Sequence, residues 1–362
     1  MAFQRITPAK RAMALELLSE GMTVNGICRV LKIGKVNYLR FMLETAAACE
    51  AWHDKHFRGI KVDRLSLDEQ WSWIRIHKER MTPEQKRDNP THGDSWFWIS
   101  IDPKSKAIIN WKTGKRRKNF ARDFAGDLAS RIEGRVQITT DKLETYSGAL
   151  KRAFGDRLDY AQEEKIFQSV KADGPEWQKF RVNPLVGVSR TAIHGNPNLK
   201  TATVAHAERM FLTVRQSNKR TARKTLAYSK THENHSATAS VQTFIYNLCR
   251  KHMSLEGKTP AQALGIVPDR WTLEDVVKMA DSHESQKAND AFETAFTSYE
   301  FKPRNDRAVR PLQPLTPWYH DKDSGGPTPP PLERKAGIRY ADETSGVPVR
   351  LSELAKDSPL IF

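Results

Sequence analysis

The stretch RLSLDEQWSWIRI at residues 64–76 alternates apolar and polar side chains at a period of two, which predicts a β-strand with two distinct faces. The polar face carries Asp68 between Ser66 and Gln70. A carboxylate on the open face of a rigid strand is well placed to hold a metal ion. Glu69 falls on the apolar face, and we interpret it as a structural or supporting group. The apolar face also carries Leu65, Leu67, Trp71 and Trp73.

The segments after this strand predict a mixed α/β fold. Their residue patterns indicate strands at 95–100 and 106–111, a helix at 117–132, a strand at 136–140, a helix at 143–153 and a strand at 157–160. Three strands, a helix, a strand, a helix and a strand is the element order of the RNase H-like core, an α/β fold with a mixed sheet. We therefore expect the first strand to lie inside such a sheet.

Residues 1–50 are predicted to form an all-α DNA-binding domain, followed by a linker at 51–64. Three short helices are separated by turns at Gly21 and Gly34, which is the helix-turn-helix pattern. A three-helix bundle with no role in DNA binding would show the same spacing. The third helix supplies three polar or basic side chains that we expect to contact DNA: Lys35, Asn37 and Tyr38.

The remainder of the chain is predicted to form a core at 65–255 and an irregular tail at 281–362. The core contains a loop-rich insertion at 162–200, where Gly-Pro and Asn-Pro pairs occur. A helix beginning near residue 201 has an apolar stripe, and Glu208 lies beside that stripe. Ten of the 19 prolines lie in the tail, which predicts an extended or disordered segment that is either a tether, a partner-binding segment or inert.

The composition indicates a polyanionic partner. The chain has 362 residues and a formal net charge of +16, which favours nucleic acid as a partner over the alternative of an ordinary basic soluble protein. Three scattered cysteines argue against a disulfide framework and a zinc site. No apolar run approaches the roughly 18 residues of a membrane span, so we expect a cytoplasmic, nucleoid-associated protein that does not bind membranes.

Three carboxylates on separate elements are candidates for a metal site: Asp68, Asp141 after the fourth strand, and Glu208. Carboxylate oxygens are hard ligands suited to Mg²⁺ or Mn²⁺. Two such ions about 3.5–4 Å apart can activate a water or a 3′-hydroxyl and stabilise the leaving oxygen of a phosphodiester. Glu208 alone is more typical of a solvated helix residue. Spacing leaves four alternative ligands open: Glu69, Glu133, Glu144 and Asp159.

Basic residues cluster around the predicted metal site. No acidic residue occurs from residue 209 to 232, and a second basic cluster opens the helix after the third strand. Basic groups at such a site favour phosphate neutralisation, although a solvated basic face would explain either cluster alone. The DNA contacts expected from the two clusters are Arg116, Arg117, Lys118, Arg209, Arg215, Lys219, Arg220, Arg223 and Lys224.

Three motifs together resemble the DDE transposases of the insertion-sequence-one group, which have an RNase H-like core. The motifs are LDEQWSWI at 67–74, ITTDKLETY at 138–146 and AHAERMFLTVRQSNKRTARKTLAYSKTHENH at 205–235. The resemblance implies that Asp68, Asp141 and Glu208 are the catalytic, metal-binding triad. It also extends to Ser229, Lys230 and His235. The segment KTPAQALGI at 258–266 resembles the tail of integrase-like transposases, so residues 256–280 are predicted to be such a segment.

These observations lead to the hypothesis of a DNA transposase. The N-terminal helices would bind the terminal inverted repeats of a mobile element, and the core would cleave DNA and transfer the strand to target DNA. The hypothesis requires Mg²⁺ or Mn²⁺, two ions in all, and a homodimer or higher assembly on DNA. Two alternatives are a catalytically inactive, domesticated or decayed sequence-specific DNA-binding protein and a structure-specific nuclease of the same fold.

Overall fold

The computed structural model describes residues 6–168, 184–222 and 224–297, with side chains described as far as residue 291. The strands are β1 (Arg64–Ile74), β2 (Gly93–Ile101), β3 (Ile108–Gly114), β4 (Val136–Thr140), β5 (Leu158–Phe167) and β6 (Leu185–His194). The helices are α1 (Pro8–Ser19), α2 (Val24–Leu31), α3 (Lys35–His56), α4 (Pro83–Asp88), α5 (Lys118–Arg131), α6 (Glu144–Phe154), α7 (Ala205–Ser217), α8 (His232–Leu248), α9 (Pro260–Ala263) and α10 (Leu273–Thr297). No helix in these ranges is long and apolar enough to cross a membrane.

The six strands form one mixed sheet in the order β3-β2-β1-β4-β5-β6. β4 runs parallel to both β1 and β5, and the other neighbouring strands are antiparallel. The predicted α/β class is confirmed, and the strand order is compatible with an RNase H-like core. β1 lies near the middle of the sheet, so both of its edges have a neighbour for at least part of its length.

Helices cover both faces of the sheet. On one face, Leu65 and Leu67 of β1 belong to a buried cluster with Phe124 of α5 and Tyr146 of α6. On the other face, side chains of β2 pack against the buried stripe of α7, which contains Met210, Phe211 and Val214. The spacing of that stripe brings Glu208 towards the sheet.

The face of β1 predicted to be polar and open is covered. Ser66 Oγ donates to the carbonyl of Thr203 at 2.7 Å, and Gln70 Nε2 donates to the carbonyl of Thr221 at 3.2 Å. The polar side chains on this face are buried because the segment around α7 supplies their hydrogen-bond partners. Asp68 keeps partial access to solvent.

The three predicted N-terminal helices are present as α1, α2 and α3. α3 is longer than predicted, so the boundary at residue 50 falls inside it and the linker at 51–64 begins as helix. Its later turns are packed against the rest of the protein. The Trp52 ring makes edge-on contacts with the rings of Phe244 and Trp271, with centroid separations of 5.4 Å and 5.0 Å. These helices share one buried cluster with the sheet. Their role in DNA binding stays a prediction.

The loop-rich insertion predicted at 162–200 contains two paired strands. β5 continues to Phe167, and β6 pairs antiparallel with it. β6 was missed because it lies at the edge of the sheet, where most of its side chains are exposed. A strand without a buried face needs no regular alternation of apolar and polar residues, which is the signal that predicts strands from sequence. Pro184 precedes this strand and Asn196-Pro197 follows it, so these prolines do not interrupt it.

The predicted start of the irregular tail at 281 lies inside α10. The Thr272 hydroxyl accepts a hydrogen bond from Asp275 N at 3.2 Å and donates to its carboxylate at 2.8 Å, which fixes the start of the helix. Buried Val276 and Val277 hold its first turns against the core. Residues 298–362 of the predicted tail lie outside the described residues.

Candidate active site

The register of two strands brings Asp68 and Asp141 together. β1 pairs with β4 from Arg64↔Gln137 to Ser66↔Thr139, and the same register places Asp68 opposite Asp141. β4 ends one residue before Asp141, whereas β1 continues to Ile74. The edge of β1 is therefore free of a neighbouring strand on this side from Asp68 until Ile74, which forms a bridge with Ser229. Strand ends of this kind are where α/β sheets bind ligands.

Three carboxylates converge at this open edge. Asp68, Glu69 and Asp141 each have an oxygen that lies within 4.8 Å of the others. Asp68 and Glu69 are successive residues of β1, so their side chains point to opposite faces of the sheet. Asp141 lies beside the uncovered edge of β1, where both side chains can reach it. The Asp68 carboxylate accepts a hydrogen bond from the Glu69 backbone N–H at 2.7 Å, which turns it over the same edge.

Arg116 lies inside this acidic cluster. Its Nη2 is 3.3 Å from Glu69 Oε2 and 3.4 Å from Asp141 Oδ2. The guanidinium carbon lies 4.6 Å from the centroid of the Trp96 ring, which supports the side chain from the other side. The residue was predicted as a DNA contact, and the structure places it against the carboxylates of the candidate metal site.

The pKa values of two of these carboxyls are raised. Burial raises the pKa of Asp68 to about 7, with smaller contributions from the charges of Asp141 and Glu208, while the Glu69 N–H and Arg116 oppose the shift. Burial also raises the pKa of Glu69 to about 8, and the Asp141 charge adds to it. One arginine does not balance this negative charge, and a bound cation would favour the ionised forms.

The residues fit a divalent cation of the hard type. The donor set consists of carboxylate oxygens, which Mg²⁺ and Mn²⁺ prefer, and Glu69 Oε1 is buried without a hydrogen-bond partner. Of the four sequence-based alternatives, Glu69 joins the cluster and the other three do not. Glu133 pairs with Lys61 at 3.3 Å and Asp159 with Arg135 at 2.6 Å, and Glu144 is exposed in the first turn of α6.

Glu208 lies next to the cluster and forms an ion pair with Lys165 of β5. It is absent from the group of three carboxylates that share the 4.8 Å limit, although its charge contributes to the raised pKa of Asp68. The structure thus brings two of the three predicted ligands together and holds the third beside them. Lys165 was missed because its strand was predicted to end at residue 160.

Two predicted DNA contacts are buried and require correction. Tyr38 is 1% exposed because it lies on the face of α3 that enters the core, and Arg220 is 8% exposed. Arg220 Nη1 donates to Ser229 Oγ at 3.0 Å within the protein. Neither side chain presents a surface to DNA. Arg223 lies outside the described residues. The other predicted contacts that are exposed are Lys35, Arg117, Lys118, Arg209, Lys219 and Lys224, and Asn37 and Arg215 are half-buried.

Ser229 and His235 support β1 from within the core. The His235 ring lies between two hydroxyls, with Nδ1 2.9 Å from Ser229 Oγ and Nε2 3.0 Å from Ser72 Oγ. Burial lowers the pKa of His235 to about 3, so the ring is neutral at ordinary pH. This contact ties the end of β1 to the start of α8, whereas Lys230 beside it is exposed.

No protein-family model matches the sequence, and no curated protein matches it. Among solved structures, the piggyBac transposase synaptic complex with hairpin DNA aligns with a TM-score of 0.34 and 10% identity, covering 83% of this chain and 77% of that one. The Mos1 transposase paired-end complex with the left transposon end aligns with a TM-score of 0.18 and 14% identity, covering 42% of this chain and 57% of that one. Neither score establishes a shared fold, and the resemblance to insertion-sequence-one transposases stays a prediction.

Proposed function

We propose that the protein is a DNA transposase, a metal-dependent polynucleotidyl transferase. The observation that carries the proposal is the convergence of Asp68, in the middle of β1, and Asp141, directly after β4, with Glu208 beside them on α7. This arrangement combines hard oxygen ligands with an open edge that a phosphodiester can approach. The net charge of +16 provides the attraction for such a polyanionic substrate.

Asp68 and Asp141 are the proposed ligands of the divalent cation, with Glu208 as the third once it is released from Lys165. Mg²⁺ or Mn²⁺ would supply Lewis-acid stabilisation of the charge that develops on the attacking and leaving oxygens. Arg116 and Lys165 lie beside these carboxylates. Their charges are available to non-bridging phosphate oxygens when DNA is bound, so they hold the scissile phosphate at the cluster.

Exposed basic residues are proposed to carry the DNA to this site. Arg117 and Lys118 lie at the start of α5, and Arg209 directly follows Glu208. Lys35 at the start of α3 contributes to recognition of the terminal inverted repeats. Cleavage at two element ends followed by joining to target DNA calls for a homodimer or a larger assembly on DNA.

The test uses the full chain with linear duplexes that carry the candidate ends of its element, in Mg²⁺ or Mn²⁺. We expect cleavage and joining by the wild type, and a loss of about 100-fold or more in Asp141→Asn. Asp88→Asn, an exposed aspartate on α4, is the matched control and should retain full activity.

Three results would count against this function. Equal cleavage by the wild type and Asp141→Asn would assign the activity to another site or to a contaminant. Cleavage without joining, across several end sequences, would indicate a structure-specific nuclease. Sequence-specific binding without chemistry in either metal would indicate a DNA-binding protein that is not an enzyme.

A further inference from the structure

Glu69 is a buried carboxylate with one oxygen that lacks a close hydrogen-bond donor. Its side chain is 0% exposed, and Oε1 has no hydrogen-bond partner. The other oxygen receives only the Arg116 Nη2 group, at 3.3 Å. The Tyr146 hydroxyl faces this carboxylate and its interaction lowers the pKa of Glu69, but neither the hydroxyl nor Oε1 has a partner in close hydrogen-bond geometry. Burying a carboxylate oxygen without a donor is unfavourable, so packing alone does not account for glutamate at this position.

The position of Glu69 on β1 is otherwise suited to an apolar side chain. It shares its face with Leu65 and Leu67, which are fully buried, and it lies opposite Trp98 across the β1–β2 pair. A leucine or methionine here would extend the same apolar cluster. Glutamate therefore has a role that its charge or its oxygens perform.

One oxygen of Glu69 lies in the acidic cluster. That oxygen lies within 4.8 Å of a ligand oxygen of Asp68 and of Asp141. Oxygens that share one octahedral Mg²⁺ with bonds of about 2.1 Å lie about 3–4 Å apart, so small side-chain movements bring these groups to one ion. Arg116, which contacts both Glu69 and Asp141, provides positive charge at the same place.

We propose that Glu69 is a fourth carboxylate ligand of the metal site and shares an ion with Asp141. The inference rests on the metal-dependent function proposed above. It assigns one ligand to each face of β1, with Asp68 on the α7 side and Glu69 on the α5–α6 side. Arg116 partly offsets the charge of Glu69 and Asp141 when no cation is bound, and cation binding frees its guanidinium for a DNA phosphate.

The test measures Mn²⁺ binding directly, by the electron paramagnetic resonance signal of free Mn²⁺ during titration of the full chain without DNA. We expect Glu69→Gln to weaken Mn²⁺ binding by about 10-fold or more, which is the effect of removing a group that holds a metal site together. Glu133→Gln is the matched control, because Glu133 is exposed and pairs only with Lys61. That variant should bind Mn²⁺ like the wild type.

The outcomes separate this inference from the proposed function. Wild-type Mn²⁺ affinity in Glu69→Gln, together with weakened binding in Asp141→Asn, would overturn the role of Glu69 and leave the metal site intact. No Mn²⁺ binding by the wild type would overturn both. Circular dichroism checks that each variant is folded. If Glu69→Gln is not, Glu69→Asp keeps the charge and withdraws the oxygens by one methylene, and the same loss of affinity is expected.

Discussion

Asp68 links protonation of the site to the stability of the fold. Its pKa is about 7 in the folded protein, whereas an unfolded aspartate has a pKa of about 3.9. Between these two values the folded state binds more protons than the unfolded state, so the free energy of unfolding decreases as the pH rises. The decrease levels off above the folded pKa. Glu69 also lowers the free energy of unfolding as the pH rises, up to its own pKa of about 8.

Asp68→Asn should remove part of this pH dependence. From pH 5 to pH 8, without divalent cations, we expect the wild type to lose about 1–3 kcal/mol more unfolding free energy than the variant. The measurement is urea denaturation at both pH values in the presence of a chelator. Asp88→Asn, whose carboxyl is exposed, should follow the wild type. Parallel pH profiles for wild type and Asp68→Asn would contradict the raised pKa.

Sequence patterns located some of these residues and missed the role of others. Asp68 and Asp141 follow from strand periodicity and from the position of a carboxylate after a strand. The proximity of Glu69 to Asp141 depends on where β4 ends relative to β1, and tertiary packing sets that register. Tyr38 is polar and lies at the start of a basic helix, but the partner that covers a helix face cannot be deduced from the composition of the face.

At the level of elements, β5 fixes the position of α7. Glu163 Oε1 accepts hydrogen bonds from Val204 N and Thr203 Oγ1, both at 3.2 Å, and its other oxygen pairs with Arg190 of β6 at 2.9 Å. Glu163 is 4% exposed, so it is held by these three donors. Lys165, two residues further along the same face, pairs with Glu208. One strand thus anchors the start of α7 and its candidate ligand.

Glu163→Gln should loosen this anchor. The substitution removes the buried negative charge that pairs with Arg190. We therefore expect the free energy of unfolding to fall by about 1–3 kcal/mol. Glu164→Gln is the matched control: the neighbouring side chain points to the opposite face, is 47% exposed and pairs with Lys142, so its change should stay below about 0.5 kcal/mol. The measurement is thermal and urea denaturation of both variants. Equal losses of stability in Glu163→Gln and Glu164→Gln would contradict the anchoring role.

For the molecule as a whole, the N-terminal helices and the sheet form one packed unit. The sequence predicted a separate DNA-binding domain, because helical spacing shows that an apolar face exists without showing what covers it. In the structure, the turn after α1 lies against the end of α7. Gly21 has a φ of +80°, and a Cβ at this position would lie 2.4 Å from the carbonyl oxygen of Gln216.

Replacing Gly21 measures the coupling between these two regions. Gly21→Ala should destabilise the protein through both its positive φ and the backbone clash, whereas Gly134→Ala has a similar φ of +82° and meets no atom within 4 Å. We expect about 1 kcal/mol for Gly134→Ala and at least about 1 kcal/mol more for Gly21→Ala. The measurement is urea denaturation of both variants. Equal losses would show that the N-terminal turn does not bear on α7.

The alternation of β1 also constrains how this gene can change in length. A single codon gained or lost between Arg64 and Asp68 would rotate the rest of the strand by half a repeat. Asp68 would then enter the apolar layer under α5 and α6, and Glu69 would leave it. Natural relatives should accordingly vary in length within the polar segment at 75–92 and keep β1 free of insertions and deletions.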